Sequence, residues 1–372
     1  MKRRKRILFA AVDIGFRIEH YSKFISTNYS DFLIAESFSK YVLPEKHYKT
    51  EYTYTCPINK THPIKLYLYC LMFFIFSLFR YDVFHFFSGE TILTRKLRRF
   101  EFSIYKLFGK RIVMHFVGSD IRNPNYIYWK EKNIKNFLLG MNNYPKTLPW
   151  QDKLINDSVK YADYILVSTP DLLELVPSAE YYPVLIDIEK HLKEIKNVST
   201  SVKKEDEIVI LHCPSNIQIK GTAYIHEELK RIASSNKKIK LILPAEEIML
   251  NPKIYSVSRY DLFNLYKEAD IVIDQLIIGW YGLQSIEALA SGNQVICYIE
   301  DPLKTYLFPD CPIVLADVNT FEDCVKETIK KIEENRPINN DNNINWIYKY
   351  HSIECNNATL LRAWNITHVS KQ

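Results

Sequence analysis

The sequence predicts an α/β protein built from two doubly wound parallel sheets. Three observations predict it. Short apolar runs rich in β-branched and aromatic residues alternate with amphipathic stretches from end to end. The 372 residues suffice for two domains of ordinary size. Glycine is scarce, 9 residues where average usage would give roughly 26, so each glycine is expected where geometry requires one. Alternation of this kind implies right-handed βαβ crossovers.

In the first half, strands are expected at 7–12, 32–35, 83–87, 111–115 and 164–168. In the second they are expected at 208–212, 240–243, 271–274 and 294–298. Stretches such as YIHEELKRIA and RYDLFNLYKEA supply helices between them. The N-terminus MKRRKRILFAAVDIG starts like a signal peptide, but its apolar run covers only residues 7–12 before Asp13 interrupts it, which fits a first strand. LYLYCLMFFIFSLF, residues 66–79, falls short of the roughly 20 residues that cross a bilayer and predicts a buried or interfacial helix. Periodicity is weakest and local charge densest in DIEKHLKEIKNVSTSVKKEDE. The expected division is therefore a Rossmann-like domain over 1–185, a link over 186–206, a second such domain over 207–340, and a helical segment over 341–372 that packs back toward the first domain.

Hydrophobic residues make up 47% of the chain, enough for a core in each domain and too many for a disordered protein. The seven cysteines are scattered, with no C-x-x-C pair, which argues for free thiols in a reducing compartment and against a disulfide framework or a zinc site. The net charge of +6 is uneven. Lys2 to Arg6 are all basic, and 95–111 carries seven basic residues against Glu101, so the rest of the chain is net acidic. A basic N-terminal half suits an anionic membrane surface or a phosphorylated acceptor, or is simply a solvated face. No nucleic-acid motif accompanies it.

In open α/β sheets ligands bind at the carboxyl ends of the strands, and two such domains would present those ends to a central cleft. HCPSNIQIKGT places Lys220 and Gly221 just ahead of a helix. Free amides and the positive helix end favour an anion there. The alternative is a solvated lysine beside a capping glycine. DIVIDQLIIGWYGLQSIEALASG repeats the arrangement: Gly279 and Gly282 shape a turn, 284–290 opens a helix whose first-turn amides and Ser285 hydroxyl would again face an anion, and Glu287 lies one turn in. Glu287 could accept two hydrogen bonds from a ribose diol, or interact with the helix dipole. His115 and the run Gly118, Ser119, Asp120 end a strand; a buried core histidine is the other possibility for His115.

Four stretches, KRIVMHFVGSDIR (110–122), ADYILVSTPDLLELVPSAEYYPVLID (162–187), HCPSNIQIKGT (212–222) and DQLIIGWYGLQSIEALASGNQVICYI (274–299), resemble the GT-B glycosyltransferases. They are most similar to the family 4 group, which includes many bacterial capsule and lipopolysaccharide enzymes. The resemblance implies a nucleotide-diphosphate sugar as donor substrate, with no other cofactor. Glu287 would hold the ribose and Lys220 with the helix amides the diphosphate, the donor-binding set being Lys220, Gly221, Ser215, Gly279, Gly282, Leu283, Gln284, Ser285 and Glu287. It also implies a retaining reaction. No D-x-D occurs in the sequence, so a metal-independent one is expected and no metal ligands are assigned. His115, Asp120 and Asp274 are the implied catalytic groups. Gly15, Arg17, Gly118, Ser119 and Arg122 would face a saccharide or lipid-linked acceptor.

The sequence departs from the family's E-x7-E pattern, because Gly279 fills the first position; Asp274 is a candidate substitute. Ser215 stands where an arginine commonly precedes the lysine by five positions, and Val117 where many relatives carry histidine. The expected function is a glycosyltransferase of surface polysaccharide synthesis, cytoplasmic or peripheral at the inner membrane face. The alternatives are a catalytically degenerate nucleotide-binding subunit and, third, a nucleotide-sugar epimerase.

Overall fold

The computed structural model describes residues 3–13, 17–41, 51–58, 61–122, 149–198, 206–245, 257–334 and 340–366. The chain divides into two compact units. Among the described residues, unit 1 comprises those within 3–122, 149–184 and 353–366, and unit 2 those within 185–352.

Along unit 1 run β1 (Lys5–Ala10), α1 (Arg17–Asn28), β2 (Leu33–Ser39), β3 (Tyr54–Thr55), α2 (Pro63–Arg80), β4 (Val83–Phe87), α3 (Arg98–Leu107), β5 (Arg111–Phe116), α4 (Pro149–Tyr161), β6 (Tyr164–Val167) and β7 (Glu180–Tyr181). The strands pair in parallel in the order β3-β2-β1-β4-β5-β6-β7. Ile7 through Ala10 have no exposed surface, as a parallel strand covered on both faces requires; a continuous apolar run rather than an alternating one marks it in sequence. One face packs Leu8, Phe84, Met114 and Val167 against α2 and α3. The other brings Phe9, His85 and Phe87 together with Tyr21 of α1.

Unit 2 contains α5 (Ile188–Asn197), β8 (Ile208–Leu211), α6 (Ile217–Lys220), α7 (Thr222–Ser235), β9 (Ile239–Ile242), α8 (Arg259–Glu268), β10 (Ile271–Ile273), α9 (Leu283–Ala290), β11 (Gln294–Cys297), β12 (Val314–Leu315), α10 (Phe321–Glu334) and α11 (Asp341–His351). Its parallel sheet runs β12-β11-β10-β8-β9 around a core of Ile210, Ile225, Leu229, Ile273, Ile296 and Phe321. α12 (Ile353–Ala363) belongs to unit 1. There the Ala363 carbonyl accepts from Arg111 Nε at 2.5 Å, and fully buried Trp364 donates to His85 Nδ1 at 3.2 Å.

The structure differs from the sequence expectation at 186–206, read as a link. Residues 188–197 of it form α5, whose Asp187 cap accepts from the Lys190 amide at 2.9 Å. Ile188, Leu192 and Ile195 keep helical spacing, but the surrounding charges hide it. Strand order reverses between β1 and β4 in unit 1 and between β8 and β10 in unit 2. Loops that leave the carboxyl ends at such reversals are where open sheets place ligands.

Candidate functional site

In unit 2 the loops after β8 and β10 flank the reversal, and they bring Lys220 and Asp274 together across 54 residues of sequence. Lys220 ends α6, is 8% exposed, and its ammonium bonds Asp274 Oδ1. Asp274 Oδ2 accepts from Ser285 Oγ at 2.6 Å and from the Gly282 amide at 3.1 Å. Asp274 is fully buried. Burial alone would raise its pKa, but the charge and hydrogen bond of Lys220, then the Ser285 and Gly282 bonds, outweigh it and hold the carboxyl below the usual aspartate range.

Gly282 is the N-cap of α9, whose first-turn amides lack intrahelical acceptors. A Cβ on Gly282 would stand 3.9 Å from Asp274 Oδ2 and 4.0 Å from Lys220 Nζ. Leu283 opens the helix, and Gln284 reaches back to donate to the Cys213 carbonyl at 2.9 Å. Gly221 adopts φ +78°, a conformation glycine tolerates, and an added Cβ would lie 3.1 Å from Ile277. A lysine, a hydroxyl and a helix N-terminus therefore converge on one anion, which here is the chain's own carboxylate.

Glu287, one turn further, is 3% exposed and already bonded: Arg259, at the start of α8, pairs with Oε1, and the Tyr266 hydroxyl donates to Oε2 at 3.3 Å. Arg259 also stacks its guanidinium on Phe263, 4.4 Å from the ring centroid. At the C-cap of that helix, Ser291 Oγ donates to the Glu287 carbonyl at 2.8 Å and meets His191 Nε2 at 2.9 Å. Burial, then the charge of Arg259, lowers His191 to about 3, so it is neutral. Gly279 is buried with φ +82°, and its amide bonds Gln275 Oε1 at 3.4 Å; position 279 supplies no carboxylate. Ser215 is exposed and has no hydrogen-bond partner among the described residues, so it does not join the Lys220 cluster. Arg259 and Tyr266 were missed by sequence reasoning because nothing local in SRYDLFNLY ties them to a glutamate more than 20 positions away.

In unit 1, the ends of β5 and β6 form a second buried polar group. His115 Nε2 lies 3.0 Å from Ser168 Oγ, which accepts from Arg17 Nη1 at 2.7 Å. Burial, then the Arg17 charge, pushes His115 far below its ordinary range, leaving it neutral. Asp120 accepts from the amides of Val117 at 3.0 Å and Gly118 at 2.7 Å, closing the turn after β5. Burial raises its pKa despite these bonds. Asp120 is thus engaged by its own turn rather than presented to a ligand hydroxyl. Arg122 makes a two-pronged pair with Asp171, at 2.7 and 3.1 Å, and donates to Thr169 at 3.0 Å. That ties the loop after β5 to the one after β6. Ser119 is exposed, and its carbonyl accepts from Gln151 at 3.3 Å. Gly15 lies outside the described residues. Asp13, not singled out from sequence, accepts from the Ile18 and Glu19 amides at 3.2 and 3.4 Å and from the Tyr52 hydroxyl at 3.2 Å; burial raises it to about 6.

No family model and no curated protein matches this sequence. Solved structures do. Sucrose-phosphate synthase from Thermosynechococcus elongatus is similar at a TM-score of 0.64 and 12% identity, over 97% of this chain and 98% of that one. The catalytic domain of starch synthase IV from Arabidopsis thaliana, bound to ADP and acarbose, gives 0.61 and 10% over 98% and 99%. Anabaena HepE, in complex with UDP and glucose, gives 0.59 and 11% over 98% and 100%. At such identities the likeness is one of fold, and it extends over nearly the whole of both chains in each case. The two parallel α/β sheets of this chain are those of the GT-B glycosyltransferase fold.

Proposed function

We propose that the chain transfers a sugar from a nucleoside-diphosphate sugar to a saccharide or lipid-linked acceptor, without a metal and with retention of anomeric configuration, in the building of a surface polysaccharide. The observation that carries this reading is the convergence of Lys220, Ser285 and the α9 N-terminus on one buried anion position beside the sheet reversal. Glycosyl transfer breaks the bond between the anomeric carbon and a diphosphate oxygen, and the electron pair stays with the diphosphate. The acceptor oxygen takes its place, and its proton passes to the nearest developing base, the departing phosphate. Negative charge on that leaving group grows as the bond breaks. A fixed ammonium and helix amides therefore stabilise the transition state more than the ground state. Asp274 holds the Lys220 ammonium at the helix end and acts as a positioning residue.

The absence of D-x-D supports metal independence, because charge neutralisation then falls to Lys220 and the amides. Retention and the polysaccharide role rest on the family 4 resemblance. A nucleoside diphosphate as the leaving group agrees with the ligands of similar folds: HepE was solved with UDP-glucose and starch synthase IV with ADP. Glu287 would grip the ribose once Arg259 yields one of its oxygens. That existing pair, with Gly279 in place of a glutamate, favours one second reading, a nucleotide-binding subunit without turnover.

The test is nucleoside-diphosphate release from a panel of UDP-, ADP- and GDP-sugars with saccharide acceptors, comparing wild type, Lys220→Ala and Glu287→Ala. Loss of one donor to a developing anion costs about a hundredfold or more in turnover. Release that survives Lys220→Ala unchanged overturns the mechanism. Tight nucleotide binding with no release from any donor establishes the second reading.

A further inference from the structure

α2 is apolar on two opposite sides. Cys70, Phe73, Phe74 and Leu78 are buried in the core of unit 1. Ile64, Leu68, Met72, Ile75 and Phe79 recur every three or four residues along the other side, with Phe76 beside Ile75, and all are exposed, Met72 and Phe79 at 70%. Soluble domains seldom leave so long an apolar stripe to water unless something covers it. The stripe does not stop at α2. Phe79 meets Phe108 edge to face at 5.7 Å, which extends it onto Phe108 and onto Leu107, 77% exposed.

Two residues beyond Phe108 the chain enters a groove of about 700 Å³ at the amino ends of β1, β2 and β5, where Arg3, Arg4, Lys5, Lys110 and Arg111 gather. The carboxylates lining it are Asp82 and Asp163. Neutral carbonyls anchor four of these cations without cancelling their charge: Arg4 on Ser30, Lys5 on Trp364, Lys110 on Tyr81 and Arg111 on Ala363. Arg3 pairs with Asp82 at 3.1 Å, so the lining holds five cations against two carboxylates.

An apolar stripe continuous with a basic groove matches an anionic lipid surface, where acyl chains take the stripe and phosphates take the cations. We propose that this face of unit 1 docks on an anionic phospholipid bilayer, with α2 lying in the interfacial plane and the groove holding headgroup phosphates. At 18 residues α2 is long and apolar enough by composition to cross a bilayer, but its buried Cys70, Phe73, Phe74 and Leu78 tie it to the core of unit 1 and favour the in-plane position. A two-fold pairing of this face with itself would bring like charges together, which disfavours a second copy as the occupant. The proposal stands on residues apart from the donor site, and neither depends on the other.

Flotation of the full chain with vesicles of phosphatidylcholine alone, or of equimolar phosphatidylcholine and phosphatidylglycerol, tests it. The protein floats with the anionic vesicles and about tenfold less with the neutral ones, and salt weakens the binding. Leu68→Glu/Met72→Glu lowers binding about tenfold or more without moving the unfolding temperature, since both side chains are exposed. Arg3→Gln/Arg4→Gln lowers it about tenfold and flattens the salt dependence. Should the first double variant unfold, Leu107→Glu carries the same test. Equal flotation with both vesicle types, no flotation with either, or a dimer that Leu68→Glu/Met72→Glu dissolves while vesicle binding persists overturns the proposal.

Discussion

Asp13 and Asp120 in unit 1 and Asp274 in unit 2 are all carboxylates buried just past the ends of parallel strands, yet their surroundings differ in kind. The first two accept mainly from amides of their own turns, and burial leaves both with a raised proton affinity. Asp274 also accepts an amide and a hydroxyl, but Lys220 reverses the balance and keeps it ionised. Amide bonds together with the charge of a guanidinium that is not bonded to the carboxylate, Arg17 for Asp13 and Arg122 for Asp120, do not offset the loss of water here; an ammonium in contact does. The unit-2 position is therefore one that stabilises an anion, here the Asp274 carboxylate. The unit-1 cluster pairs neutral His115 and Ser168 with the buried Arg17 guanidinium, which already donates to the Ser168 hydroxyl rather than to a carboxylate in contact.

Removing the cation breaks this comparison most severely. Lys220→Ala leaves Asp274 buried without a counter-charge, and urea unfolding should register a loss of about 3–5 kcal/mol. Lys220→Ala/Asp274→Asn should regain most of that stability while remaining inactive, which separates folding from turnover. If the single variant unfolds like wild type, the pair is not what holds the position together.

pH sharpens the contrast, because the two carboxylates carry opposite signs. Asp13 titrates at about 6 in the fold against 3.8 ordinarily. The native state thus holds the extra proton between these values, and its contribution to stability falls as pH rises from about 4 to about 6, by about 3 kcal/mol. For Asp274, with its pKa lowered, stability is present above the ordinary aspartate range and is lost as pH falls through the folded pKa. Asp13→Asn should flatten the slope between about pH 4 and 6 and leave the acid limb intact, as read from urea midpoints across pH. An unchanged slope in that window would assign it to another group. The smallest effect is expected from Gly221→Ala, where a positive φ and a Cβ 3.1 Å from Ile277 together should cost about 1–2 kcal/mol of unfolding free energy.

Much of the fold was legible in the sequence because buried parallel strands leave continuous apolar runs. Each of the nine runs read as strands overlaps an observed one. The strands Tyr54–Thr55, Glu180–Tyr181 and Val314–Leu315 were not, since two residues carry no periodicity. α5 was hidden by its own charges. At the candidate site, Lys220, Gly282, Ser285 and Asp274 were visible as single positions beside strand ends, because glycine and helix-start patterns are local. Their closure on one another was not.

By itself the sequence determined the two-sheet architecture, the places where chains leave the strands, and the shortage of glycine that makes Gly221, Gly279 and Gly282 informative. Those properties depend on residues a few positions apart. Only the tertiary structure decided that Lys220 would neutralise Asp274, that Arg259 would occupy Glu287, and that α2 would keep one apolar stripe uncovered. Such pairings join segments tens of residues apart, and the free energy of a buried charge depends on what surrounds it in space, which sequence order does not encode.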